Sequence, residues 1–356
     1  MVIDPVGDSR AVSSAEDLFC RMRDAIERAG ELCVRRLSVA GRIIELASPG
    51  ERYLDEIFPA QAHLESKSTA AADLRIYVVD YASNGIAGPE APWVLKVPAS
   101  RGEIRGASAD GRWHAAYSVG RSTLYLYDAH ERVGICWTQD AAALPGYDRA
   151  SPMFFLWHWW LKAIGMGMVH GAALGFEDGG VLLAARSGSG KSTTALACLR
   201  SPLRYAGDDY CVAESGVEPR IHSMYCTAKV LPDNLQRLPH MAAAVEPSSV
   251  GAEKLIFNVR AHWPKKIITG FPLRAVVVPR VSGLPETRFE RIAPGAALRA
   301  LAPSTLFVLN GAGAGAEEFR RMGDLVRCVP SYMLHLGTNL DVIPRAIAAI
   351  LQELRA

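Results

Sequence analysis

At 356 residues the chain has room for two domains of ordinary size. A hydrophobic share of 49% with 21% charged residues excludes a disordered chain and describes a core-forming globular protein. A net charge of +2, with its basic residues scattered, excludes a basic footprint for nucleic acid and gives an anionic membrane nothing to hold.

Taken in chain order, the N-terminus (Met-Val-Ile-Asp-Pro) lacks the basic-then-apolar pattern of a signal segment. Residues 15–29 predict an amphipathic helix with Leu18, Met22 and Ile26 on one stripe. A strand pair is expected over 32–47, ended by Ser-Pro-Gly at 48–50, and then a short helix over 51–58. Five β-type runs follow, Leu74–Tyr81, Trp93–Val97, His114–Val119, Leu124–Asp128 and Val133–Trp137. The first part of the chain therefore reads as a β-rich, antiparallel domain over residues 1–150, led by a helix. Pro152–Val169 is the one membrane-like stretch. It carries His158 and Lys162, is broken by Gly165 and Gly167, and falls short of the roughly 20 apolar residues a span needs, so it predicts a buried helix. Six of the seven tryptophans lie before residue 161, which marks a compositional boundary near it.

From there the texture alternates strand and helix, the pattern of an α/β core with both sheet faces covered. Strands are expected at 180–185, 203–206, 273–279 and 331–336, and helices at 191–200, 295–302, 315–324 and 341–354. Residues 232–252, rich in Pro, Ala and Ser with weak periodicity, predict a mobile loop. The seven cysteines (Cys20, Cys33, Cys136, Cys198, Cys211, Cys226, Cys328) form no CxxC pair. They argue against a disulfide framework or zinc site and suit a reducing cytoplasm.

The strongest signal is Ala185-Arg-Ser-Gly-Ser-Gly-Lys-Ser192, set between the buried strand Val181–Ala184 and the helical run Thr193–Ala197. The usual phosphate loop reads G-x-x-x-x-G-K-[ST], and Ala185 stands at its first glycine. Glycines let such a backbone turn its N–H groups inward, and the helix N-terminus adds positive potential. Ser187, Gly188, Ser189, Gly190, Lys191, Ser192 and Thr193 are thus expected to hold nucleotide phosphates, Lys191 bridging the outer two and Ser192 coordinating Mg²⁺. Asp208 and Asp209 follow a predicted strand only 16 and 17 residues after Ser192. Neighbouring side chains on a strand point to opposite faces, so the two share one role only if the chain bends. Otherwise one orients Mg²⁺ while the other faces an acceptor hydroxyl. His170, in Val-His-Gly-Ala-Ala-Leu ahead of the loop strand, has no role fixed by spacing.

His170-Gly171, Ser187–Ser192 and Gly207-Asp208-Asp209 together resemble the HPr kinase/phosphorylase family over residues 165–215. The resemblance implies an α/β P-loop kinase core related to phosphoenolpyruvate carboxykinase, here spanning 151–356. It implies transfer of the γ-phosphate of ATP to a serine hydroxyl, with Asp209 as proton acceptor, Lys191 and His170 at the phosphates, and Ser192 and Asp208 at Mg²⁺. The family's Glu-Ile-Arg-Gly-Leu-Gly signature is missing, and Ser223–Lys229 stands in its place, so one metal carboxylate is not located. Gly207 replaces an alanine, and the N-terminal half differs from the family's regulatory domain. These departures resemble a divergent branch that modifies precursor peptides, as in lasso-peptide pathways. In that branch the N-terminal half and the 232–252 segment would shape the acceptor site, and Lys229 and Lys254 would add positive charge. The resemblance implies a protein or peptide partner and allows a homo-oligomer. A small-molecule hydroxyl kinase, or a nucleotide-binding subunit without transfer activity, stays open on the motifs alone.

Overall fold

The computed structural model describes residues 9–88, 103–108, 110–309 and 315–355. Two compact units are present, Met1–Pro59 with Glu65–Ile164, and Ala60–Leu64 with Gly165–Ala356.

The first unit begins with α1 (Ser9–Arg28), then β1 (Cys33–Val39), β2 (Arg42–Ser48), α2 (Glu51–Ile57), β3 (Leu74–Asp80) and α3 (Tyr81–Asn84). It continues through β4 (Glu103–Ala107), β5 (Trp113–Ser118), β6 (Thr123–Asp128), β7 (Val133–Thr138), α4 (Gly146–Ala150) and α5 (Phe154–Ala163). The strands form one sheet of order β1-β2-β3-β7-β6-β5-β4. Contrary to the antiparallel expectation it is mixed, because β3 pairs in parallel with both β2 and β7. The chain leaves β2 through α2 and re-enters beside it in the same direction, which a hairpin reading cannot anticipate. The expected strand Trp93–Val97 lies outside the described residues. α1 buries Leu18, Phe19, Met22 and Ile26 against Tyr77, Val79, Trp113 and Leu124 of the sheet, as its apolar stripe predicts. α5, the membrane-like stretch, is ten residues long with Trp157 and Trp160 fully buried. Among the described residues no helix is long and apolar enough to cross a membrane.

The second unit opens with β8 (Gly167–Val169), β9 (Ala172–Phe176), β10 (Gly179–Leu183), α6 (Lys191–Ala197), β11 (Arg204–Gly207), β12 (Cys211–Glu214) and β13 (Arg220–Ser223). Next come β14 (Thr227–Val230), α7 (Pro232–Leu235), β15 (Leu255–Asn258), α8 (Val259–His262), β16 (Gly270–Val281) and β17 (Arg288–Ile292). It ends with α9 (Pro294–Leu309), α10 (Ala316–Cys328), β18 (Ser331–Leu336) and α11 (Ile343–Glu353). Nine strands form a mixed sheet of order β11-β9-β10-β16-β13-β12-β8, with β18 beside β16 and β17 beside β18; β14 and β15 pair separately.

This sheet is covered on both faces, so β10 reads as a continuous apolar run. Val181 and Leu183 pack with Leu196 and Ile347, on the side of α6 and α11. Leu182 and Ala184 pack with Leu301 and Met322, on the side of α9 and α10. Helix α9 runs past its expected end at 302, through Pro303, and α10 past 324. The segment expected to be a mobile loop instead forms α7 and short 3₁₀ turns at Pro239–Ala244 and Pro247–Ser249. Leu238, Met241 and Ala244 join the core there. Their spacing of three residues is the period of a 3₁₀ helix, not the 3.6 of an α-helix, so they anchor short turns. All seven cysteines are free thiols.

Candidate active site

A cleft of about 370 Å³ opens along the edge of the nine-stranded sheet and is lined by Ser187, Gly188, Gly190, Lys191, Ser192 and Thr193 of the glycine-rich segment. His170, Asp208, Asp209, Lys229, Glu253 and Lys254 line it too. The residues singled out in the sequence thus meet in one place, apart from Ser189, whose buried hydroxyl has no hydrogen-bond partner.

The loop's shape follows from its composition. Gly188 and Gly190 adopt φ of +79° and +97°, which side chains with a Cβ resist. Gly190 also lies against β18, where a Cβ would stand 2.6 Å from Leu336 Cδ1. Gly190→Ala is therefore expected to destabilise the second unit by about 1–2 kcal/mol, read as a lower midpoint in urea unfolding, and to loosen the loop. Ala185, at the first glycine position of the motif, is buried in the core between sheet and α9–α10, where its methyl has packing partners. Lys191 begins α6 and is itself buried; its Nζ donates to Ala185 O (2.6 Å) and Arg186 O (3.1 Å). Burial pushes the Lys191 ammonium below its ordinary value, against the opposing pull of Asp208 and Asp209.

The acid pair does bend. Tyr210 N–H donates to Asp208 O (2.9 Å), closing a three-residue turn around Asp209 at φ +71°. A γ-turn with positive φ is rare and strained, and Asp is among the few residues that tolerate that half of φ space. Gly207 prepares the turn: a Cβ there would stand 3.1 Å from Cys211 Sγ, so the glycine lets the chain double back.

The bend sends the two carboxylates to different partners. Asp208 Oδ1 accepts from Ser192 Oγ (3.0 Å), and its Oδ2 accepts the Lys229 N–H (3.4 Å). Asp209 Oδ1 meets His170 Nε2 (3.2 Å), and its Oδ2 meets Lys229 Nζ (2.7 Å). Burial, and then the charge of Asp209, push the Asp208 carboxyl up. Burial would do the same to Asp209, but Lys229 and the His170 bond outweigh it and hold that carboxyl well below the usual carboxylate range. Lys229 reaches its place by strand alternation: Ala228 and Val230 point into the core, so Lys229 points into the cleft.

His170 is held by its backbone N–H to Thr305 Oγ1 (3.1 Å), while its Nδ1 is buried and unpartnered. Gly171 beside it is required because a Cβ would stand 2.7 Å from Leu183 O at the end of β10.

Asp208 makes the stability of the fold depend on pH. Its folded-state proton affinity exceeds the unfolded one, so stability falls as pH rises from the unfolded value through the raised folded value, and stays lowered above it. Asp208→Asn is expected to raise Tm at neutral pH in chelator-treated buffer, by about 2–4 °C for each ~1 kcal/mol relieved, with the difference closing toward pH 4. A wild-type Tm that exceeds the variant's at pH 7 would be the contrary result.

Sequence reasoning missed the placement of Lys229 on Asp209, and also Val281, Leu336, Leu340 and Ile343 at one end of the cleft. An apolar Val281 following Arg280 at the end of a long strand is the one local cue. Among the described residues no three His, Cys, Asp or Glu side chains are grouped to hold a metal ion.

No family model matches the chain. No curated protein sequence matches it either. Among solved structures it is similar to the HPr(Ser) kinase/phosphatase from Coxiella burnetii, which aligns over 53% of this chain and 99% of its own at 11% identity and a TM-score of 0.31. That likeness is weak, and the chemistry rests on the cleft's own residues.

Proposed function

We propose that this protein is an ATP-dependent P-loop kinase that transfers the γ-phosphate to a serine hydroxyl of a protein or precursor peptide. The observation that carries the reading is the turn at Asp209. In the cleft that holds the glycine-rich segment, it leaves one carboxylate beside Ser192 and turns the other toward His170 and Lys229.

Phosphoryl transfer asks for positioning and charge neutralisation more than for covalent help from the protein. The loop N–H groups, the start of α6 and Lys191 bind the donor phosphates. Lys191 exchanges its two carbonyl partners for phosphate oxygens. Asp209 accepts the hydrogen bond of the serine hydroxyl and orients its oxygen toward the γ-phosphorus. As the new P–O bond forms, the bond to ADP breaks with its electron pair leaving on ADP, and the serine proton passes to Asp209. A weakly basic carboxylate suffices because the transition state is loose and the proton departs late. His170 and Lys229 keep Asp209 ionised and fixed. Ser192 Oγ and Asp208 Oδ1 are hard oxygen donors side by side, which fits Mg²⁺, an ion that takes one or two protein oxygens and completes its shell with phosphate and water. When bound, Mg²⁺ would neutralise phosphate charge. Glu253, which lines the cleft along with Asp208 and Asp209, is the candidate for the missing signature carboxylate. The cysteine usage supports a cytoplasmic setting.

The test is an acceptor panel with γ-labelled ATP and Mg²⁺: an HPr-like phosphocarrier, serine-containing peptides and free serine. Label recovered as phosphoserine in a protein or peptide supports the reading. Label in free serine would instead favour a small-molecule kinase, and tight ATP binding with no transfer a regulatory subunit.

A further inference from the structure

The cleft has an end that none of this chemistry uses. β11 and β10 are each antiparallel to β9 between them, and β16 is parallel to both β10 and β18. The four strands β11, β10, β16 and β18 therefore point the same way and share one carboxyl edge, the edge at which open α/β sheets take ligands. The acid pair follows β11 and the glycine-rich loop follows β10. Val281 and Leu336 are the last residues of β16 and β18 and are direct register partners. The acids and this apolar pair thus flank the loop on opposite sides.

The pair touches the loop: a Cβ on Gly190 would stand 2.6 Å from Leu336 Cδ1 and 3.7 Å from Val281 Cγ2. Although it lines a cleft, the Val281 side chain is 54% exposed. The backbone around it is already engaged. Ser282 donates both its N–H (3.0 Å) and its Oγ–H (2.9 Å) to Leu336 O, and Gly337 N–H donates to Thr287 Oγ1 (3.0 Å). What remains on offer is a fixed apolar surface made by Val281 and the half-buried Leu340 and backed by the buried Leu336 and Ile343.

We propose that Val281 and Leu336 form the shelf on which the nucleoside of the phosphate donor lies, held by apolar contact and without side-chain hydrogen bonds to the base. This rests on the phosphate-donor reading above. A nucleotide whose last phosphate reaches Ser192 and Asp208, and which runs away from the acid pair, crosses β16 toward β18. Four strand spacings separate β11 from β18, about 19 Å, room for an extended nucleoside triphosphate with the acceptor hydroxyl beyond it. Strong discrimination between bases requires polar groups that the wrong base leaves unpaired, and Val281, Leu336, Leu340 and Ile343 carry none. ATP and GTP are accordingly expected to bind within about tenfold of each other.

Calorimetric titration of the full chain with ATP, GTP and inorganic tripolyphosphate separates shelf from loop. Val281→Asn is expected to weaken ATP and GTP about tenfold, the worth of burying one valine side chain, and to leave tripolyphosphate binding unchanged. Val281→Leu is expected to keep all three. The shelf is overturned if Val281→Asn binds ATP as the wild type does, if it loses tripolyphosphate in parallel, or if the wild type binds ATP no more tightly than tripolyphosphate. Binding with the expected pattern but no phosphoryl transfer would remove the kinase reading and leave the shelf standing. Binding of neither ATP nor tripolyphosphate would remove both.

Discussion

Asp209→Asn is expected to lower phosphoryl transfer by about 10²–10⁴-fold while nucleotide binding stays within a factor of a few of wild type. Asparagine is a demanding replacement because it preserves so much. It tolerates the positive φ at position 209 as well as aspartate does. Its amide oxygen can accept from Lys229 Nζ, and its NH₂ can face a bare His170 ring nitrogen, so both partners keep a bond. What it cannot do is take the serine proton or offer a full negative charge to the acceptor hydroxyl. A fall in kcat with an unchanged dissociation constant for ATP is therefore the signature of a group that acts on the acceptor. A matched loss of ATP affinity would place Asp209 among the phosphate-binding residues instead. Asp208→Asn should differ in kind, because Asp208 accepts from Ser192 Oγ and does not meet His170 or Lys229 Nζ as Asp209 does.

Lys191→Met is expected to reduce both ATP affinity and transfer, each by about 10²-fold or more. Methionine keeps the length and apolar stem that fill the buried position, so the fold should survive. The variant loses the ammonium that the start of α6 places at the proposed phosphate site. It also leaves Ala185 O and Arg186 O without the Nζ partner they have now. Because burial already disfavours that ammonium, its charge is maintained by Asp208 and Asp209 and by the phosphates that would join them. Calorimetric titration beside a transfer assay checks both expectations. Unchanged ATP binding in Lys191→Met would contradict the placement of phosphates on this loop.

Much of this arrangement was legible in the chain, and the unreadable parts have definite causes. Val181–Ala184 followed by the Ser-Gly-Ser-Gly-Lys-Ser run reads as strand, turn and helix because each step is local: an apolar run, glycines at positive φ, then helix formers. A bend at the acid pair was left open by the sequence, but its position at Asp209 was not readable. It depends on Gly207 fitting against Cys211, a contact that exists only once β11 and β12 are in place. Lys229 was visible as a charge but not as a partner of Asp209, because its position is set by a hairpin whose second strand begins 26 residues later at Leu255. Parallel pairing of β2, β3 and β7 was hidden for the same reason: alternation within a strand says which face is buried and nothing about the direction of its neighbour. The turns between Pro232 and Ser249 were hidden because Leu238, Met241 and Ala244, all buried, recur every three residues, a 3₁₀ period too short-lived to stand out from a loop.

The reaction proposed for this cleft passes a phosphoryl group from ATP to a serine hydroxyl at Asp209. Its most direct measurement follows ATP carrying a heavy-oxygen label on the γ-phosphate, incubated with wild-type protein, Mg²⁺ and a serine-bearing protein or peptide, with products analysed by mass spectrometry. Labelled phosphoserine on the acceptor in a one-to-one ratio with ADP is expected, and at least about a hundredfold less of it with Asp209→Asn. Labelled inorganic phosphate as the sole product, or an ATP-bound protein that leaves every serine unmodified, would contradict it.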